Sequence, residues 1–264
     1  MAPHDPRTMP EKFLSMYNAR AIKLPGNFMA QHPFDTGALR VRDEMLAALP
    51  RNPDEIRQHI AEYYAMISHL DYELGRLLDY LEQNQLADNT IIIFSGDNGL
   101  ALGQHGLMGK QNNYEHSLRV PLLFAGPGIP AGVKSSAYTY LFDIFPTICD
   151  LTGTGRPADL DGISLVPCFN NTSEPLRDEL YCAYSSTIRS VKNRRHKLIE
   201  YACGEQRATQ LFELENDPLE MNNIAGRSEY KNTVAEMKRR LSELSVLWGD
   251  TGHEKGRTFW QNYR

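Results

Sequence analysis

The chain has 264 residues, a formal net charge of −5, 41% hydrophobic and 23% charged residues. That length and apolar fraction suffice for a sizeable interior, either one large domain or a core with a smaller partner. The mildly acidic balance excludes the basic footprint of a nucleic-acid binder, and no apolar run reaches membrane-spanning length or forms the apolar stretch of a signal peptide at the first residues. Cys149, Cys168, Cys182 and Cys203 lack zinc-ligand spacing, and their even number fits disulfides or buried free thiols equally.

Residues 1–53 read as a long irregular excursion over a domain surface, punctuated by Leu24-Pro25-Gly26-Asn27-Phe28. A helix is expected from near Glu55, capped by Asp54 or a neighbour, and ending by Leu86. Within it Ile56, Ile60, Tyr63, Ile67, Leu70, Leu74, Leu77 and Leu81 recur at steps of four and three, giving one apolar stripe. At 1.5 Å per residue the helix reaches roughly 45 Å, enough to lie along a wide sheet. Asp71 on it reads as a surface charge. The uninterrupted apolar runs 91–94 and 120–124 predict strands covered by helices on both faces, and a helix over 141–151 completes a layered α/β/α core.

Directly after the first of these strands comes Ser95-Gly96-Asp97-Asn98-Gly99. It places a carboxylate and an amide oxygen at a strand's C-terminal end, where open α/β sheets carry their chemistry. Oxygen donors of this kind suit Ca²⁺ or Mg²⁺, and the glycines permit a sharp turn around an ion, although Asp-Asn-Gly is also ordinary turn chemistry. A glycine-rich loop follows, Gly103-Gln104-His105-Gly106-Leu107-Met108-Gly109-Lys110, able to present a His and a Lys to an anion.

After Gly153 the pattern changes to short strands over 180–184, 187–191, 197–201 and 210–214, expected to form an antiparallel sheet. An amphipathic helix over 230–248 would cover one of its faces. The expected division is a core over residues 1–155 and a small α+β subdomain over 156–264. The basic cluster Arg189, Lys192, Arg194, Arg195 and Lys197 is expected on the solvent face of a strand pair, where it could also meet an anionic polymer such as a sulfated glycan.

In order, Asp97-Asn98-Gly99, Gln104-His105-Gly106, Gly109-Lys110, Tyr114-Glu115 and Arg119-Val120-Pro121 resemble the second half of a sulfatase of the alkaline phosphatase superfamily. His4-Asp5-Pro6, Asp143-Ile144-Phe145-Pro146-Thr147, Asp161-Gly162-Ile163-Ser164-Leu165 and Leu211-Phe212-Glu213-Leu214 extend the resemblance over nearly the whole chain. It implies an alkaline-phosphatase-like α/β/α sandwich with a small C-terminal antiparallel-sheet-plus-helix subdomain, and hydrolysis of a sulfate ester, on a carbohydrate by expectation. It further implies Asp97 and Asn98 as metal ligands for Ca²⁺, with Mg²⁺ as the alternative. Lys110 would bind a sulfate oxygen, His4 would contact the ester and assist the leaving group, and His105 would be a further substrate contact. Export to the periplasm or the cell exterior also follows from the resemblance.

The same family places two acidic metal ligands, a Cys/Ser-x-Pro-x-Arg signature oxidised to formylglycine, and a Lys with a nearby His in an N-terminal half. None of these precedes His4. Met1 is therefore expected to be internal to a longer protein, the missing N-terminal half of the same fold to be a partner of this chain, and the isolated chain to be inactive. Ser173-Glu174-Pro175-Leu176-Arg177 fits the signature formally, but lies after the metal loop in a polar surface connection and is read as fortuitous. Two other readings are a non-catalytic module that binds sulfated glycans, and a phosphonate or phosphate monoester hydrolase of the same superfamily.

Overall fold

The computed structural model describes residues 3–170 and 175–263. Residues 3–52 are mainly loop, with a single-turn helix α1 (Glu11–Leu14). Helix α2 (Pro53–Gln83) starts where Asn52, the neighbour of Asp54, accepts the Asp54 and Glu55 amides on its Oδ1 at 2.8 and 3.4 Å, and Pro53 supplies a preset first turn. Its stripe is buried only from Ile56 to Met66; Ile67, Leu70 and Leu77 further along are exposed.

Strand β1 (Ile92–Ser95) pairs antiparallel with β2 (Leu122–Ala125), Phe94 opposite Leu123, and the single-turn helix α3 (Glu115–Leu118) lies between them in sequence. The expectation of two strands covered on both faces is corrected here. Phe94 is 37% and Leu123 56% exposed, because among the described residues no helix layer closes over them. Helix α4 (Ile144–Thr152) stops at Gly153, whose φ of +69° suits a residue without a Cβ, and α5 (Val166–Phe169) follows.

Strands β3 (Leu180–Tyr184), β4 (Ile188–Lys192), β5 (His196–Cys203) and β6 (Gln206–Glu213) form an antiparallel meander in that order. Side chains alternate between its two faces. Leu198 and Leu211 pack with Met237, Leu241, Phe259 and Trp260 from α6 (Lys231–Leu247) and α7 (Glu254–Tyr263). Ile199, Tyr201 and Phe212 pack instead with Leu107 of the glycine-rich loop and with Ala101 and Tyr114 on either side of it. The sheet is thus covered on both faces, one of them by the loop. On its far side the loop's Met108 and the preceding Leu102 pack with Ala47, Ile56 and Ile60, so the loop is wedged between the start of α2 and the sheet.

This double cover overturns the solvent-face reading of the basic cluster. Lys197 and Arg189 are buried, the first beside Glu115 and Glu220, the second with Nε donating to Asp250 Oδ2 at 2.9 Å. Burial of such charges requires partners, and here each has them. Arg194 and Arg195 stay at the surface. All four cysteines are free thiols, and among the described residues no helix is long and apolar enough to cross a membrane.

Candidate functional site

Asp97 and Asn98 stand exposed just beyond the C-terminal end of β1. The Asn98 amide donates to Asp97 Oδ1 at 2.9 Å and Asn98 Nδ2 to the Gly99 carbonyl at 2.7 Å. Asp97 Oδ2 and Asn98 Oδ1 keep no protein partner among the described residues, so two hard oxygens are free side by side. They fit part of the shell of a Ca²⁺ or Mg²⁺ ion, which for Ca²⁺ numbers about six to eight oxygens. The third residue of the motif has a steric cause: a Cβ on Gly99 would lie 1.9 Å from the His116 carbonyl oxygen.

The glycine-rich loop is clamped from below by a buried ion pair. Glu44 accepts the Met108 amide at 2.9 Å and the Gly109 amide at 3.1 Å, and pairs with Arg51, whose Nε donates to the Gly106 carbonyl at 3.0 Å. Burial raises the Glu44 pKa, and the loop amides and Arg51 oppose that shift. Gly106 itself cannot carry a side chain, since its Cβ would meet the backbone of Gln31 and His32 at 2.4 Å. The clamp fixes the segment that ends in Lys110.

Lys110 Nζ lies 2.9 Å from His4 Nε2. His4 Nδ1 is 2.8 Å from the Asp5 carbonyl oxygen and 3.2 Å from its carboxylate; a proton on Nδ1 satisfies both and leaves Nε2 as an acceptor for the ammonium. Asp43 sits behind the pair, its Oδ2 accepting from Gln111 Nε2 at 2.8 Å and 3.8 Å from Lys110 Nζ. Burial disfavours its charge, but the hydrogen bonds from Gln111 and Arg42 and the Lys110 charge outweigh burial and hold its pKa low. Arg42 bridges Asp43 and Asp5, at 2.8 and 3.1 Å. His4, Asp5 and Asp43 are the one group of three ligand-type side chains close enough to share an ion among the described residues. Arg42 and Lys110 already neutralise its carboxylates, which makes it a ring of ion pairs.

The structure therefore brings the two expected catalytic residues, His4 and Lys110, together across 106 positions of sequence. His105 is different. Its ring is 5% exposed, stacked 3.9 Å from Tyr114, with Nε2 3.1 Å from Asn27 Nδ2. Burial first, then the nearby His32, lowers its pKa to about 4. In this chain it packs the loop against the sheet. Tyr114 continues inward, its hydroxyl donating to Gln210 Oε1 at 2.8 Å, and Glu115 reaches Lys197 and Lys192.

The remaining motifs dock on one another. Asp143 accepts the Ile163 amide at 2.8 Å, and Thr147 Oγ1 accepts the Leu165 amide at 2.8 Å. Arg177, the last residue of the fortuitous signature, spans Asp143 with two bonds of 2.6 and 2.7 Å and is structural; Ser173 and Glu174 lie outside the described residues. Asp5, Arg42, Asp43, Gln111, Glu44 and Arg51 were not singled out by sequence. Only Asp5 carried a signal, its place between His4 and Pro6.

Comparison with known proteins follows the same lines. A family model described as Sulfatase matches residues 1–154, and one described as N-sulphoglucosamine sulphohydrolase, C-terminal, matches residues 103–246. A sulfatase of Formosa agariphila is 30% identical over 93% of this chain and 49% of its own length. A choline-sulfatase of Rhizobium meliloti is 37% identical over 84% of this chain and 44% of its own. A solved protein in complex with its substrate D-glucosamine-2-N,6-O-disulfate superposes with a TM-score of 0.78 and 25% identity, over 97% of this chain and 65% of its own. The chain thus spans about half the length, or less, of the curated relatives it matches.

Proposed function

Because the chain belongs to the sulfatase family, with its alkaline-phosphatase-like α/β fold, we propose that it carries one side of an active site that hydrolyses a sulfate ester, the substrate being a sulfated carbohydrate. The observation that carries this reading is the 2.9 Å approach of Lys110 Nζ to His4 Nε2, on a loop that follows the Asp97-Asn98 pair and is clamped by Glu44 and Arg51. The substrate class is supported by the disulfated glucosamine bound to the similar solved protein.

Cleavage of a sulfate ester builds negative charge on the sulfuryl oxygens and on the leaving oxygen. Lys110 supplies fixed positive charge to a sulfuryl oxygen. His4, oriented by Asp5 through Nδ1, presents Nε2 to the ester and serves the leaving group once Nε2 carries a proton. A sulfate oxygen takes the place of the direct His4–Lys110 contact when substrate binds. His105 braces the loop from beneath. The family generally works with a divalent metal and formylglycine; here Asp97 and Asn98 would hold Ca²⁺, or alternatively Mg²⁺, which would supply Lewis-acid polarisation of the sulfate.

The formylglycine and further metal ligands belong to an N-terminal half, which would pack against exposed apolar side chains of this chain, Ile67, Leu70 and Leu77 on α2 and Phe94 and Leu123 on the strand pair. Residues 1–155 are the C-terminal half of the catalytic core and 156–264 the subdomain. The isolated chain is inactive, and the protein acts in the periplasm or outside the cell. Titration of the full-length protein with Ca²⁺ while following hydrolysis of a sulfate monoester tests the metal assignment. Asp97→Ala is expected to raise the half-saturating Ca²⁺ concentration at least about tenfold; an unchanged Ca²⁺ requirement contradicts it.

A further inference from the structure

Arg42 belongs to the ring around His4 and Lys110, yet the ring uses only part of its guanidinium. Nε and Nη2 donate to Asp43 Oδ1 at 3.1 and 2.8 Å, and Nη2 also donates to Asp5 Oδ1 at 3.1 Å. The side chain is nevertheless 63% exposed, and Nη1 makes no hydrogen bond among the described residues. Asp5 Oδ1 is also 3.2 Å from His4 Nδ1, so guanidinium and imidazole hang from one carboxylate oxygen.

Two carboxylates therefore fix the plane of Arg42 through Nε and Nη2 and leave the two N–H groups of Nη1 free among the described residues. Neutralising Asp43 does not by itself require this arrangement, because Lys110 faces Asp43 Oδ2 at 3.8 Å and Gln111 donates to the same oxygen. A guanidinium held in this way presents Nη1 as a pre-ordered, charged donor for an oxyanion, and the ordering cost of binding is already met. Resting on the sulfate-ester reading above, we propose that Arg42 is a specificity-determining residue that binds a second anionic group, a sulfate or a carboxylate, carried by the sugar next to the ester held at His4 and Lys110. The preferred substrate is then a sugar with two negative groups.

The test is kcat/KM of the full-length protein on three substrates: a monosulfated hexose, the same hexose with a second sulfate, and the corresponding sulfated hexuronate, each for wild type, Arg42→Ala and Arg42→Lys. The wild type is expected to prefer at least one doubly charged substrate over the monosulfate, and Arg42→Ala to lower that preference at least about tenfold, the loss of one charge-assisted contact. Arg42→Lys recovers part of it, since it keeps the charge without the carboxylate-held plane that aims Nη1. The substrate whose preference collapses identifies the second group as sulfate or carboxylate. If Arg42 only holds Asp5 and Asp43 in place, all three substrates lose activity by the same factor and the preference is unchanged, which overturns the inference. Absence of a wild-type preference overturns it too; in both cases hydrolysis of the monosulfate leaves the sulfate-ester reading standing. Turnover of phosphate esters with none of any sulfate overturns both.

Discussion

Lys197 Nζ lies 3.1 Å from Glu115 Oε1, although the lysine side chain has no exposed surface. Glu115 comes from the stretch after the glycine-rich loop and Lys197 from the middle of the sheet, so this pair, with Glu220 Oε1 at 2.8 Å from the same Nζ, joins the loop to the subdomain. Burial opposes the lysine's charge, but Glu220 and Glu115 overcome it and raise its pKa; Glu115 is held low by Lys197 and Lys192 against its own burial.

Lys197→Met leaves Glu115 and Glu220 facing one another without that cation. The expected loss is about 3–5 kcal/mol at neutral pH by denaturant unfolding. Burial already raises the Glu220 pKa against the pull of Lys197; with the cation gone that shift grows, so the folded variant holds a proton that the wild type holds less tightly. Relative to wild type, the variant should therefore regain stability as pH falls from 7 towards 5. A constant deficit across that range contradicts the assignment.

Glu44 and Arg51 give a second stability test with a catalytic consequence. Glu44→Gln keeps the shape but leaves the Arg51 guanidinium buried and unpaired, at an expected cost of about 3–5 kcal/mol. Replacing both by Met should recover most of that stability, since no buried charge remains, while removing the acceptor for the Met108 and Gly109 amides. A stable double variant should still lose kcat/KM on a sulfate ester at least about tenfold, because Lys110 is no longer fixed. Calorimetry and steady-state kinetics on the same samples separate the two effects.

Acid should weaken the joint through its histidines. Burial, followed by the charge of His32, holds His105 at about 4, and burial, followed by His105, holds His116 well below its ordinary value. The groups facing them are Tyr114, His32, Lys197 and Asp217. Unfolded histidine takes a proton near 6.5, so from there down to about 4 the unfolded chain binds protons that folded His105 does not. Stability is full above 6.5 and falls below it, by up to about 1.4 kcal/mol per pH unit for each histidine. His105→Asn should reduce the slope of unfolding free energy between pH 6.5 and 5; an unchanged slope contradicts this origin.

Much of the subdomain was legible because its signals are local. Strand 180–184 is where the run of short strands and turns after Gly153 placed it, and the helix expected over 230–248 is observed at Lys231–Leu247. Helix α7 was not read. Gly256 within it looks like a breaker, but the glycine is required by tertiary approach, since a Cβ there would lie 1.9 Å from the Asp250 carbonyl oxygen. The burial of Arg189 and Lys197 was misjudged for a related reason: their partners Asp250 and Glu115 lie 61 and 82 residues away, beyond any local pattern. His4 and Lys110 were legible as motifs, whereas Asp43, Glu44 and Arg51, which position them, sit in an irregular stretch without periodicity.

The most direct measurement of the central claim is hydrolysis by the full-length protein, loaded with Ca²⁺, of a matched pair of aryl esters, one sulfate and one phosphate, with Lys110→Ala in parallel. The expected result is a higher kcat/KM for the sulfate ester and a loss of at least about a hundredfold in the variant. Preference for the phosphate ester, or sulfate hydrolysis that survives Lys110→Ala undiminished, would contradict the assignment of this loop and of Lys110 to sulfate-ester cleavage.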